Sequence, residues 1–138
     1  MSMTFDTKIA IILRDDVEQW QALNITAFLS SAIAGADPDV IGEDYIDADD
    51  NHYLPMFIQP VMVFQADAAG IRKAYERAMS REIPIAIFTE ELFATGNDID
   101  NRGAVRPVPA DDLNLVGFAL RAKKKPVDKV LKGLKLHP

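Results

Sequence analysis

The 138-residue sequence contains no cysteine. Disulfides, a thiolate nucleophile and a cysteine-ligated metal are therefore excluded. Histidine is almost as scarce. His52 and His137 stand far apart, with no metal-ligand partner at local spacing and no serine near either in sequence. No metal is expected, and no serine–histidine pair is legible. The 7 glycines are scattered rather than gathered into a phosphate-cradling loop, so no nucleotide cofactor is implied. No apolar run approaches the ~18 residues of a membrane span. Residues 1–7 carry acid before base and lack the apolar core of a signal peptide. The expectation is a cytoplasmic chain without membrane contact. Repeats and low-complexity segments are absent too.

What is present suits one globular α/β domain over residues 1–138: 49% hydrophobic and 26% charged residues. A chain of this length buries roughly two-thirds of its unfolded surface. Its charge is lopsided. From Arg121 onward there are seven Lys or Arg and one acid, Asp128, a net +6. The eight Lys or Arg and twenty acids of the preceding 120 residues carry −12. A body so acidic repels a nucleic-acid backbone. The basic end reads as a solvated helix face, or as a surface for an anionic partner.

Residues 8–34 organise the rest. Ile9-Ala10-Ile11-Ile12-Leu13 is a continuous apolar run with polar ends, as in a strand covered on both faces, here 8–14. Asp15-Asp16 makes an acidic turn and can serve the helix entrance that follows. A helix is expected over 19–34, stopped by Gly35 and Pro38. Trp20, Leu23, Ala27 and Phe28 fall on one side and Ile25, Leu29, Ala32 and Ile33 on another. A helix apolar over most of its circumference is expected to be buried by more than one neighbour. Asn24, Thr26, Ser30 and Ser31 interrupt it. A buried amide needs partners, so Asn24 either ties the helix to a loop or lines a cleft with Asp15 and Asp16 at the strand's carboxyl end, where open α/β sheets collect ligands.

Residues 35–42 read as a loop. A short hairpin follows, Tyr45-Ile46 against His52-Tyr53, around the tip Asp47-Ala48-Asp49-Asp50-Asn51. That tip copies the first five positions of a calcium loop. The pattern then fails, with His52 in place of the bend glycine and Ile58 in place of the bidentate glutamate. Residues 60–65 and 84–88 read as the second and third covered strands. Between them Asp67 caps a helix reaching Ser80, with an apolar stripe of Ile71, Ala74, Tyr75, Ala78 and Met79. A fourth strand is expected over about 114–120 and a short helix over 126–131, Pro126 suiting its first turn.

After the third strand comes Thr89-Glu90-Glu91-Leu92-Phe93-Ala94-Thr95-Gly96. Its plainer reading is one helical turn capped by Thr89, with residues 97–103 a mobile loop. Its functional reading points Glu90 or Glu91 into the cleft that Asp16 faces, where carboxylates held close could share a proton. Asp16, Glu90 and Glu91 are thus the candidate acid–base groups. Asp15, Asp16, Asn24, Ser31, Thr89 and Thr95 are the candidate ligand contacts. With no nucleophile–base pair visible, a small-ligand or protein-binding domain is favoured over an enzyme, the alternative being a hydrolase-like enzyme built on those three carboxylates.

Certain stretches carry a resemblance: Lys8-Ile-Ala-Ile-Ile-Leu-Arg14-Asp15-Asp16, Leu23-Asn24-Ile25-Thr26-Ala27-Phe28-Leu29, Tyr53-Leu54-Pro55-Met56, the Thr89 to Gly96 run, and Val127-Asp128-Lys129-Val130-Leu131-Lys132-Gly133. Over nearly the whole chain these resemble a bacterial family filed as domain of unknown function 2000. More distantly, the order of elements is similar to peptidyl-tRNA hydrolase II. That likeness implies a three-layer α/β/α sandwich on a mixed, mostly parallel sheet of about four strands, in a fold that often forms homodimers. Lys8, Arg14 and Asp16 match that family's opening. Its helix-entering lysine and helix histidine fall nearest Asn24 and Ser31, and its later Asp-Ala-Gly-Arg-Thr stretch falls at Thr89-Glu90-Glu91-Leu92. The resemblance therefore implies the fold without the hydrolase chemistry.

Overall fold

The structure, a computed structural model, describes residues 4–138; Met1, Ser2 and Met3 of the N-terminal segment read above lie outside the described residues. The chain forms β1 (Thr7–Arg14), α1 (Gln19–Ala36), β2 (Tyr45–Ile46), β3 (His52–Tyr53), β4 (Val61–Ala66), α2 (Ala68–Ser80), β5 (Ile85–Thr89), α3 (Asp98–Val105), β6 (Leu115–Lys123), α4 (Lys124–Leu131) and β7 (Lys135–Leu136). Short 3₁₀ turns lie at Pro38–Val40, Glu90–Ala94 and Ala110–Asp112. No described helix is long and apolar enough to cross a membrane.

Five strands form one mixed sheet in the order β5-β6-β1-β4-β7. The apolar run of β1 lies at its centre, parallel to β4 with Ile9 opposite Val61 and antiparallel to β6 with Ile11 opposite Ala119. β5 pairs antiparallel with β6, and β7 antiparallel with β4. Strands β1, β4 and β5 thus share a direction, as expected. They are not all neighbours, because β6 inserts between β1 and β5, so the ladders are mostly antiparallel rather than mostly parallel. β7 was not foreseen. Two residues, one of them lysine, are too few for a period-two signal.

Successive β1 side chains enter different cores. Ala10 and Ile12 join Ile71, Ala74 and Ala78 of α2 and Val127 and Val130 of α4. Ile9, Ile11 and Leu13 join Ala22, Ile25, Leu29 and Ile33 of α1. Strand alternation places helices on both faces of the sheet. Gly117 lets α1 close on β6: a Cβ there would stand 2.6 Å from Ile25 Cγ2.

The first helix departs from expectation. Only Ala22, Ile25, Leu29 and Ile33 are buried, while Trp20 (56%), Leu23 (65%) and Phe28 (52%) stay exposed. One sheet face covers one stripe, and the neighbours on the other flank leave these three side chains more than half exposed. Asn24 is therefore exposed rather than buried and partnered. Thr26 Oγ1 and Ser31 Oγ do donate back to helix carbonyls, those of Ala22 (2.8 Å) and Phe28 (2.6 Å). Neither Asp15 nor Asp16 caps the helix. Glu18 does, in a capping box in which its own backbone N–H donates to Gln21 Oε1 at 2.9 Å. Gly35 does not end it either. The positive-φ glycine among the described residues is Gly133, and Gly35 continues the helix to Ala36.

Elsewhere the outlines hold with adjustments. Asp67 caps α2 by accepting from Gly70 N at 2.7 Å, and Ile71, Ala74, Tyr75 and Ala78 are buried, but Met79 is exposed. β4 is only half-buried, for β7 covers little of its far side. The hairpin forms as expected, with Tyr45 opposite Tyr53. Its tip is closed by Asp47, whose carboxylate accepts from Tyr53 Oη (2.7 Å), Asn51 Nδ2 (3.0 Å), Asn51 N (3.0 Å) and Asp49 N (2.9 Å). These donors, Tyr53 first, lower the Asp47 pKa from 3.8 to about 2, and the same bond raises that of Tyr53. Residues 97–103 are not a loop. They open α3, with Asn97 as cap accepting from Asp100 N at 2.9 Å and Asp98 and Asp100 in the first turn.

Candidate functional site

At the carboxyl end of β1 the side chain of Arg14, 14% exposed, gathers its neighbours. Its Nε donates to Asp16 Oδ1 at 2.6 Å and its Nη1 to Asn114 Oδ1 at 2.9 Å. Asn114 Nδ2 donates in turn to Glu90 Oε2 at 2.6 Å, and Arg14 Nη2 lies 3.7 Å from that same oxygen. The structure thus brings Asp16 and Glu90 onto a single guanidinium. Each carboxylate is held as a partner of that one cation, and no hydrogen bond joins the two carboxylates to each other among the described residues. Glu91 is exposed and stands outside this network. Asp15 is exposed, its backbone N–H donating to the Ala66 carbonyl at 2.9 Å. No residue of this group lines a large, mostly apolar cavity.

That cavity lies on the α1 side of the sheet, bounded by α1, β5, the 90–94 turn and α3, with a volume of about 700 Å³. Its floor is apolar: Phe28, Leu29 and Ala32 from α1, Phe88 from β5, Leu92 from the turn and Val105 from α3. Polar groups occupy the rim: Asp98, Asn101 and Arg102 from α3, and Arg106, the residue that caps its C-terminus. Sequence puts them there simply. Helical spacing stacks Asp98, Arg102 and Arg106 four residues apart on one face. Asp98 and Arg102 pair at 3.0 Å. Four rings extend the apolar surface, with centroids 5.6 Å apart for Trp20–Phe93, 5.1 Å for Phe93–Phe88 and 5.9 Å for Phe88–Phe28.

The remaining sequence-predicted contacts do not line this space. Asn24 and Ser31 are exposed on α1. Thr95 shares its hydroxyl between the Leu92 carbonyl (2.9 Å) and Asn101 Oδ1, fastening the 90–94 turn to α3. Thr89 stands at the start of that turn, but its side chain caps nothing. It is 2% exposed, and its Oγ1 has no hydrogen-bond partner among the described residues. The rim on α3 was missed because its residues were read as a loop. Asn97 followed by acids at positions 98 and 100 was the available helix-start signal.

Residues 7–138 match a family model described as a protein of unknown function, DUF2000. The solved structure of a protein of unknown function, Atu0240, from Agrobacterium tumefaciens strain C58 superposes with a TM-score of 0.95 and 47% sequence identity. The match covers 98% of this chain and 100% of that one. Comparison with curated proteins finds no match.

Proposed function

Since the chain belongs to the DUF2000 family, whose name assigns no activity, we propose a function from its own site: a small-ligand-binding domain whose ligand occupies the cavity between α1, β5 and α3. The observation carrying this reading is the division of that cavity into an apolar floor and a rim whose polar groups come from α3 and its C-cap, Arg106. Small-molecule sites combine these traits, with a few polar groups fixing orientation over an apolar body, and fall within roughly 300–1,000 Å³. The reading includes a three-layer α/β/α fold of the peptidyl-tRNA hydrolase II kind, working in the cytoplasm without that enzyme's catalytic lysine and histidine. Helices on both sheet faces support the layers. Thr89 and Thr95 then serve the site by shaping the 90–94 turn, and Asn24 and Ser31 by bordering its α1 wall.

The test uses extracted cell metabolites, with thermal unfolding as readout. Ala32→Trp fills the cavity from an exposed helix position. A fraction that raises the melting temperature of the parent but not of this variant supports the site. A fraction that stabilises both equally refutes it.

A homodimer belongs to the same proposal, on a separate observation. Trp20 and Leu23 lie about one helical turn apart on α1 and are each more than half exposed, and exposed apolar residues joined into one patch mark a contact surface. Sedimentation of the parent and of Leu23→Asp tests it. A parent that sediments as a monomer at high concentration refutes the dimer and leaves the ligand site untouched.

A further inference from the structure

The chemical class of the ligand follows from the charge and packing of α3, given the cavity reading above. Asp98 and Arg102 satisfy each other at 3.0 Å. Arg106, exposed at the C-terminus of α3, forms no ion pair with any described residue, yet it is one of the residues lining the cavity. The rim therefore offers one uncompensated cation over an apolar floor. A guanidinium presents a planar fork that matches a carboxylate in two parallel hydrogen bonds. A polyphosphate would need several such cations and would meet a chain body of net negative charge. One arginine and a broad apolar floor suit a single negative charge on an apolar body.

Packing points the same way. A helix in a folded domain ordinarily buries a stripe of its surface, but α3 buries none of its residues. Gly103 lines the cavity, and a Cβ built there would meet nothing within 4 Å. Glycine within a helix weakens it. So α3 stands away from the sheet, fastened to the 90–94 turn through Thr95 and Asn101. The space beneath it is where the core of an ordinary helix would be.

We infer that the ligand is an apolar monocarboxylate, its body laid on Phe28, Phe88 and Leu92 and its carboxylate paired with Arg106, with α3 packing down upon it. Arg106 has a second use, since a cation at a helix C-terminus complements the macrodipole. That use would change the stability of α3 without choosing between ligands, so the test measures choice.

Calorimetric titration of the parent with decanoate, decanol and decyl phosphate supplies the comparison, repeated with Arg106→Gln, Arg106→Lys, Arg102→Gln and Ala32→Trp. Decanoate should bind the parent about ten- to a hundred-fold more tightly than decanol, the range a charge-assisted hydrogen-bonded pair commands. Decyl phosphate should bind no more tightly than decanoate. Arg106→Gln should lose the preference for decanoate and keep decanol affinity. Arg106→Lys should restore it in part, Arg102→Gln should retain it, and Ala32→Trp should bind none of the three. Equal affinity of the parent for decanoate and decanol, or an unchanged preference in Arg106→Gln, would overturn the carboxylate assignment while leaving the cavity as a site. Failure of every probe to bind the parent, or undiminished binding by Ala32→Trp, would overturn the cavity reading and this inference with it.

Discussion

Arg14 Nη2 stands 3.7 Å from Glu90 Oε2, and Asn114 bridges the pair by accepting from the arginine at 2.9 Å and donating to the glutamate at 2.6 Å. The carboxyl end of β1 is thereby joined to the turn after β5 across the intervening β6. The arginine is the sheltered partner, the glutamate the exposed one. Replacing Arg14 by Met should cost about 1–3 kcal/mol, because Asn114 and Asp16 lose a charged donor. Glu90→Gln should cost no more than about 1 kcal/mol, the range of exposed ion pairs. Urea denaturation of both variants checks the asymmetry, and equal losses would contradict it.

Asn24→Leu should change stability by no more than about 0.5 kcal/mol, as surface substitutions do. A buried, partnered amide would have cost about 1–3 kcal/mol. Thermal unfolding separates the two ranges.

Gly117→Ala should destabilise by about 1–3 kcal/mol, the usual penalty of overpacking. The added methyl would meet Ile25 Cγ2 at 2.6 Å and the Ile12 carbonyl at 3.2 Å. Adding Ile25→Val removes one flexible neighbour, so the double variant should lose less than the sum of the two single changes. Additive losses would place the strain in the backbone instead.

Thr89→Val should be neutral or stabilise by up to about 1 kcal/mol, since it keeps the shape and removes a buried hydroxyl without a partner. Chemical denaturation measures it. A loss exceeding that amount would show that the hydroxyl is paired in solution.

The hairpin tip should respond to pH at both extremes. Asp47 titrates at about 2 when folded against 3.8 ordinarily. Its contribution is complete above 3.8 and is lost as pH falls toward about 2. Tyr53 is shifted upward by the same bond, so its contribution is present below the ordinary value of 10.0 and is lost as pH rises through its raised folded value. Tyr53→Phe should move Asp47 back toward 3.8. Carbon-detected NMR titration of the Asp47 carboxyl reads this directly, and an unmoved titration would assign the shift to Asn51.

Much of the scaffold was legible where one local signal dominates. The run from Ile9 to Leu13 marks the centre of the sheet, and Asp67 marks the start of α2. Composition failed where tertiary context decides. Trp20, Leu23 and Phe28 look like core residues because apolar type carries no record of how many neighbours arrive. The neighbours of β5 could not be read either, since the strand that separates it from β1 lies nearly thirty residues later in the chain. Of the site, Thr95 stands at its border and the other proposed contacts lie outside its lining. Arg106 was invisible because its meaning depends on having no partner, a property of three dimensions.

β5 borders the sheet on one side only with β6. Its free margin is short, largely apolar and uncharged, from Ile85 to Phe88, with Pro84 just before it. Margins of that kind invite strands from other molecules, and a proline at the threshold is a common deterrent. Ala86, Ile87 and Phe88 also line the cavity beneath α3. On the ligand-binding reading proposed above, a filled cavity covers part of this strand and an empty one leaves it bare, so an empty molecule is the more adhesive one. On that reading solubility on storage and at high expression should track occupancy, and shelf life becomes a reporter of the proposed ligand.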